Sequence, residues 1–148
     1  MDDLEAIKQL KARYQRCLDT KDWTGLADCF CEDATSEYDG GKYSFHPRDA
    51  IIEFLSTSMA KLVTLHQVHT PEIEVLSETE ARGIWYLQDI VFAEEQEMTL
   101  LGAGFYHDEY VKQDGTWRIR KIGYERTFER WESHAGAKQR KLEHRWDF

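Results

Sequence analysis

Apolar residues recur at three- and four-residue steps from the start of the chain. Leu4, Ile7, Leu10, Tyr14, Cys17 and Leu18 make one stripe behind Asp2 and Asp3, a pattern that predicts a capped amphipathic helix. A second short helix follows, with Trp23, Leu26 and Phe30 on one side. The texture then becomes strand-like. Thr35–Tyr38 and Lys42–Phe45 flank Asp39-Gly40-Gly41, which reads as a hairpin. Pro47 suits the first residue of a third helix carrying Ile51, Ile52, Leu55 and Met59.

From Leu62 onward the pattern is β. Leu62–Thr70 and Glu72–Leu76 flank Pro71, and Ser77-Glu78-Thr79 reads as a turn. Ala81–Phe92 and Thr99–Val111 are long runs rich in aromatic and branched residues, joined by Glu94-Glu95-Gln96. Asp114-Gly115 is a turn signal before a last strand, Trp117–Phe128. Helices gathered at the front and antiparallel strands at the back predict an α+β fold. A strongly curved sheet wrapped around the helices would leave a cone with an open mouth. Glycines inside the strand patterns, among them Gly83, Gly102, Gly104 and Gly123, are where such a sheet would bend.

The chain has 148 residues, enough for one domain with a real core. Its net charge of −9 disfavours phosphate backbones and anionic lipid, so neither nucleic acid nor a membrane surface is an expected partner. The acidic start Met1-Asp2-Asp3-Leu4-Glu5 does not resemble a signal peptide, and the expected location is the cytoplasm. Cys17, Cys29 and Cys31 fit reduced, packed thiols. Residues 133–148 differ from the rest. They hold four basic residues against Glu143 and Asp147, so this tail carries +2 and residues 1–132 carry −11. The reading is one domain over 1–132 and a tail over 133–148, either frayed or packed on a neighbouring subunit through Trp146 and Phe148.

Polar residues in apolar surroundings mark the candidate chemistry. Asp19 closes the first helix, and His66 sits mid-strand. Asp89 shares strand parity with Trp85, Leu87 and Val91, so it shares their face. A buried carboxylate needs a partner, and a histidine is a natural one, because the pair fixes the ring's tautomer and raises its basicity. Asp19 at the mouth would complete an acid/base set. The opposing reading is structural: a strand histidine satisfied in place and a solvated helix terminus. His66 and His69 are three apart and face opposite ways on a strand, and His46 and His107 have no ligand spacing around them, so no metal is expected. No phosphate-binding loop, nucleophile elbow or Cys–His motif appears. Aromatics such as Tyr14, Tyr38 and Trp85 read first as core, with a second role lining an apolar cavity.

At these residues the chain resembles the SnoaL-like branch of the NTF2-like superfamily, which includes scytalone dehydratase, polyketide cyclases and bile-acid dehydratases. The stretches that carry the likeness are Asp3–Asp19, Tyr38–Phe45, Thr64–Ile73, Gly83–Asp89 and Gly104–Arg126. Within that branch the likeness is greatest to the bile-acid 7α-dehydratase group. The resemblance implies a cystatin-like cone, an apolar pocket and a cofactor-independent dehydratase built on an Asp–His dyad. It implies His66 as the base, Asp89 as the carboxylate that orients it, Tyr14 and Asp19 as helix-borne catalytic partners, and Tyr38 and Arg126 in the pocket beside Trp85. Tyr14 or Tyr38 would hold the departing hydroxyl or the enolate oxygen. The implied substrate is an apolar, ring-containing hydroxy compound, steroid or polyketide-like. Separately, the long aromatic strands Ala81–Phe92 and Thr99–Val111 predict an apolar outer face that a dimer or trimer would cover. A binding domain without catalysis, or an isomerase or cyclase, would use the same pocket.

Overall fold

The computed structural model describes all 148 residues. Helix α1 spans Asp3–Thr20 and opens on the Asp2 carboxylate, which accepts from the Glu5 amide at 2.8 Å. It stops at Lys21, whose left-handed φ of 58° lets its N–H reach back to Cys17 and Leu18. Helix α2, Trp23–Ala27, is capped by the Asp22 side chain, and α3 runs Arg48–Ser58 after Pro47. Six strands follow the chain order β1 Phe30–Tyr38, β2 Tyr43–Phe45, β3 Val63–Val75, β4 Glu80–Ala93, β5 Met98–Gln113 and β6 Thr116–Ser133.

One curved sheet in the order β2-β1-β6-β5-β4-β3 holds all six. Every neighbouring pair is antiparallel except β1 with β6, which run parallel. The architecture is therefore mixed α+β, with α3 entering only after the β1–β2 hairpin. The helices lie on the sheet's inner face, and the core joins Ile7, Leu10, Tyr14 and Leu18 of α1 to Leu87, Tyr106, Tyr110 and Ile122 of the strands.

Four expectations change. Phe30 opens β1 rather than ending α2, because it pairs with Ile119 on β6. The two segments around Pro71 are a single strand: β3 is a sheet edge, where a missing N–H is tolerated, and a bulge between His69 and Glu72 absorbs the bend. β6 continues to Ser133, since its end pairs with β5 up to Met98. Pro47 lies just outside α3 as its cap residue. The tail contacts its own chain: His134 bonds Thr99, Arg140 meets Glu94, and the rings of Trp146 and Phe148 lie over the Lys21 ammonium.

Candidate functional site

Strand alternation turns Thr64, His66 and Val68 of β3 inward, and the same parity turns Leu87 and Asp89 of β4 inward. His66 and Asp89 are direct partners across the ladder. The last turn of α1 crosses above this point and delivers Asp19. Its Oδ1 lies 2.6 Å from His66 Nδ1 and accepts the Thr64 hydroxyl at 2.9 Å, while its Oδ2 accepts the His66 backbone N–H at 2.7 Å. A carboxylate held at three points holds the ring in turn. With Nδ1–H donated to Asp19, the other ring nitrogen carries the free lone pair, the arrangement a general base needs.

Asp89 therefore does not orient His66, as the sequence reading expected. Its carboxylate faces Arg126, with Nη2 at 2.5 Å from Oδ2 and Nε at 3.4 Å from Oδ1. The guanidinium is the stronger competitor for a buried carboxylate, since it is permanently charged and planar. Arg126 comes from β6 and must cross β5 to reach β4. Gly102 makes the crossing available: a Cβ there would sit 2.5 Å from Asp89 Oδ1 and 2.6 Å from Arg126 Nε. Facing Asp89 keeps Arg126 firmly protonated despite its burial. Its guanidinium also stacks 4.9 Å from the Tyr124 ring and bonds Glu129.

From Tyr124 the contacts run on to Tyr38, 5.7 Å between rings, and Tyr38 shares a hydrogen bond with Tyr14, 2.8 Å between hydroxyls. Burial raises the pKa of both phenols, so each is a neutral O–H. One of the two donates to the other, which leaves the acceptor's own proton free for a third oxygen. Trp85 is tied elsewhere. Its Nε1–H donates to Tyr110, which donates to Asp108, which accepts from Lys11 at 2.7 Å.

That second network escaped the sequence reading. Lys11 and Asp108 are both fully buried, and the Lys11 ammonium lies 3.4 Å from the Tyr106 ring centre. The signal was present: Lys11 stands four residues from Ile7 and three from Tyr14 in the apolar stripe, and Asp108 shares parity with Tyr106 and Tyr110. Gln15, also buried, was missed for the same reason.

No three His, Cys, Asp or Glu side chains gather as a metal site. The three cysteines are free and buried, and burial pushes the Cys29 and Cys31 thiols up to about 12 and 11, away from thiolate chemistry. A depression of about 850 Å³ on the sheet is lined by none of the candidate residues. Much of its charged lining is already paired, as Arg82–Glu74, Lys121–Glu37 and His107–Glu125.

A model of the SnoaL-like domain matches residues 1–123. The chain belongs to the SnoaL-like family. Solved structures of the same NTF2-like fold surround this SnoaL-like protein. One is a Novosphingobium aromaticivorans protein with the provisional name scytalone dehydratase, 24% identical over 93% of this chain and 95% of that one, at a TM-score of 0.79. Another is the hexachlorocyclohexane dehydrochlorinase LinA-type3 of Novosphingobium barchaimii, 18% identical over 93% and 94%, at 0.80. The Mycobacterium tuberculosis protein Rv3472, of unknown function, is 28% identical over 84% of this chain and 71% of its own, at 0.73.

Proposed function

We propose that this SnoaL-like protein is a cofactor-independent lyase that eliminates water from an apolar, ring-containing hydroxy compound of steroid or polyketide type. The observation that carries the reading is the 2.6 Å contact between Asp19 Oδ1 and His66 Nδ1, made by a carboxylate held at the same time by the Thr64 hydroxyl and the His66 amide.

In this mechanism His66 Nε2 removes a proton from a carbon acidified by a neighbouring carbonyl or conjugated system. Asp19 stabilises the imidazolium that forms. The electron pair moves to make the new carbon–carbon double bond, and the hydroxide leaves with a proton from the Tyr14–Tyr38 pair. The proton on His66 returns to the tyrosine by way of solvent, which restores the resting state. Positioned acid and base groups contribute about 10²–10⁴-fold each. Asp89 lies opposite His66 on the neighbouring strand, its charge balanced by Arg126. No step requires a metal or a nucleotide.

The same elimination chemistry, with chloride as the leaving group, is the named activity of one fold neighbour, and dehydration is the named activity of another. Both lend support at the level of reaction class. The test is a screen of hydroxysteroids and their thioesters followed by enone absorbance. Turnover by the wild type and none by a folded His66→Ala variant is the expected result. Ligand binding that neither His66→Ala nor Asp19→Asn alters would instead make the domain a non-catalytic binder, and rearrangement without loss of water would make it an isomerase or cyclase.

A further inference from the structure

Lys11, Gln15 and Asp19 stand four residues apart on α1, so they form one polar stripe facing the sheet. Two of the three are occupied. Lys11 is held by Asp108, and Asp19 is held by His66 and Thr64. Gln15 lies between them, 6% exposed, and neither its Nε2 nor its Oε1 has a hydrogen-bond partner. It sits beside the Tyr106 hydroxyl, outside hydrogen-bond geometry, with that hydroxyl as its polar neighbour on the sheet side. A carboxamide offers two donors and an acceptor, and native interiors leave very few such groups unpaired.

We propose that Gln15 reads a second oxygen on the substrate, a neutral ring hydroxyl on the side away from the carbon presented to His66. The inference rests on the lyase reading above and names the substrate more closely: a ring oxygenated at two positions. Four helical residues rise about 6 Å, a distance spanned by a six-membered ring with one exocyclic oxygen. A hydroxyl both donates and accepts, which matches the two idle ends of the amide. An anionic substituent fits poorly, because the Lys11 charge one turn away is already taken by Asp108, whose Oδ1 is itself unpaired. A site built to bond a hydroxyl discriminates strongly against the analogue that lacks it, since its own polar group is then left buried and unmatched.

The probes are 6-hydroxy-2-tetralone and 2-tetralone, which differ by one hydroxyl. Calorimetric titration of the full chain is expected to give roughly tenfold or greater preference for the hydroxylated ketone. Gln15→Met and Gln15→Leu should bring that ratio to about one while holding 2-tetralone affinity within a few-fold. Two variants of different shape guard against a packing artefact in either. A wild-type ratio near one, or a ratio that survives in both folded variants, overturns the proposal. The lyase reading is followed separately, through exchange of the ketone α-protons in deuterium oxide. Exchange that is no faster with wild type than with His66→Ala overturns the role of His66 and leaves the binding ratio as an independent result.

Discussion

The carboxylate of Asp19 grips both the ring and the backbone of His66, Oδ1 at 2.6 Å from Nδ1 and Oδ2 at 2.7 Å from the amide nitrogen. A change at Asp19 therefore acts on the tautomer of His66 as well as on its position. Asp19→Asn presents an amide NH₂ or a carbonyl where a carboxylate stood. With the NH₂ donating to Nδ1, the proton moves to the far nitrogen and the base is lost. We expect kcat to fall by about 10²–10⁴ for Asp19→Asn and by at least about 10² for His66→Ala, or roughly 2.7 kcal/mol of barrier. Steady-state kinetics beside thermal melts would check this. Loss confined to KM would contradict it.

The Asp89–Arg126 pair should behave as a unit. Arg126→Met leaves the buried Asp89 carboxylate without its cation, and the expected cost is about 3–5 kcal/mol. Asp89→Leu together with Arg126→Met removes both charges and should recover most of that loss. Urea unfolding of the two singles and the double gives the coupling. Additive losses would mean that the pair contributes little beyond packing.

Burial raises the pKa of Asp108 above its ordinary 3.8, even with the Lys11 ammonium beside it. The folded state therefore keeps this proton at pH values where the unfolded chain has lost it. Stability from this group falls as pH rises from about 3.8 through the raised folded value. In Asp108→Asn that titration is absent. The difference in urea midpoint, wild type minus variant, should decline across a pH series starting near 3.8, and a flat difference would refute it.

Gln15→Met should make the protein more stable, because it replaces two unpaired buried polar atoms with an apolar chain of similar length. The expected gain is about 1–3 kcal/mol in urea unfolding. A loss of stability would mean that the amide is satisfied by internal water.

The outer face of the sheet exposes Leu65, Tyr86 and Phe128 at 42%, 48% and 57%. Together with Ile90, Leu101 and Ala103, the last two of these residues line a shallow trough of about 600 Å³. A dimer or trimer that covers this face is the expected state at about 10⁻⁵ M, and Phe128→Glu should dissociate it. Sedimentation of the wild type at 17.5 kDa would decide against assembly.

Much of this was legible because parity and helical spacing carry far. Asp89 was placed inward from its neighbours alone, and Asp19 and His66 were singled out by polarity in apolar company. Which carboxylate meets which cation was not legible. It depends on where the end of α1 crosses β3, and on a glycine at position 102 that lets Arg126 reach over a strand. Neither is a property of local sequence. Lys11 was overlooked because its charge reads as surface on a helix, although its spacing belongs to the core. Phe30 reads as helical from its spacing to Leu26, and only its partner Ile119 makes it a strand residue.

That pairing of β1 with β6 has a consequence for how the protein is made. Phe30, Thr35 and Ser36 emerge from the ribosome early, but their ladder partners Ile119, Lys121 and Ile122 are among the later residues synthesised. β1, the first arm of the hairpin, must wait for β6 to be translated before its second edge is paired. Contacts this distant close slowly, and unpaired edges are where chaperones bind and aggregates begin. Nascent chains stalled before residue 116 should accordingly remain protease-sensitive throughout, including the segment that carries Asp19.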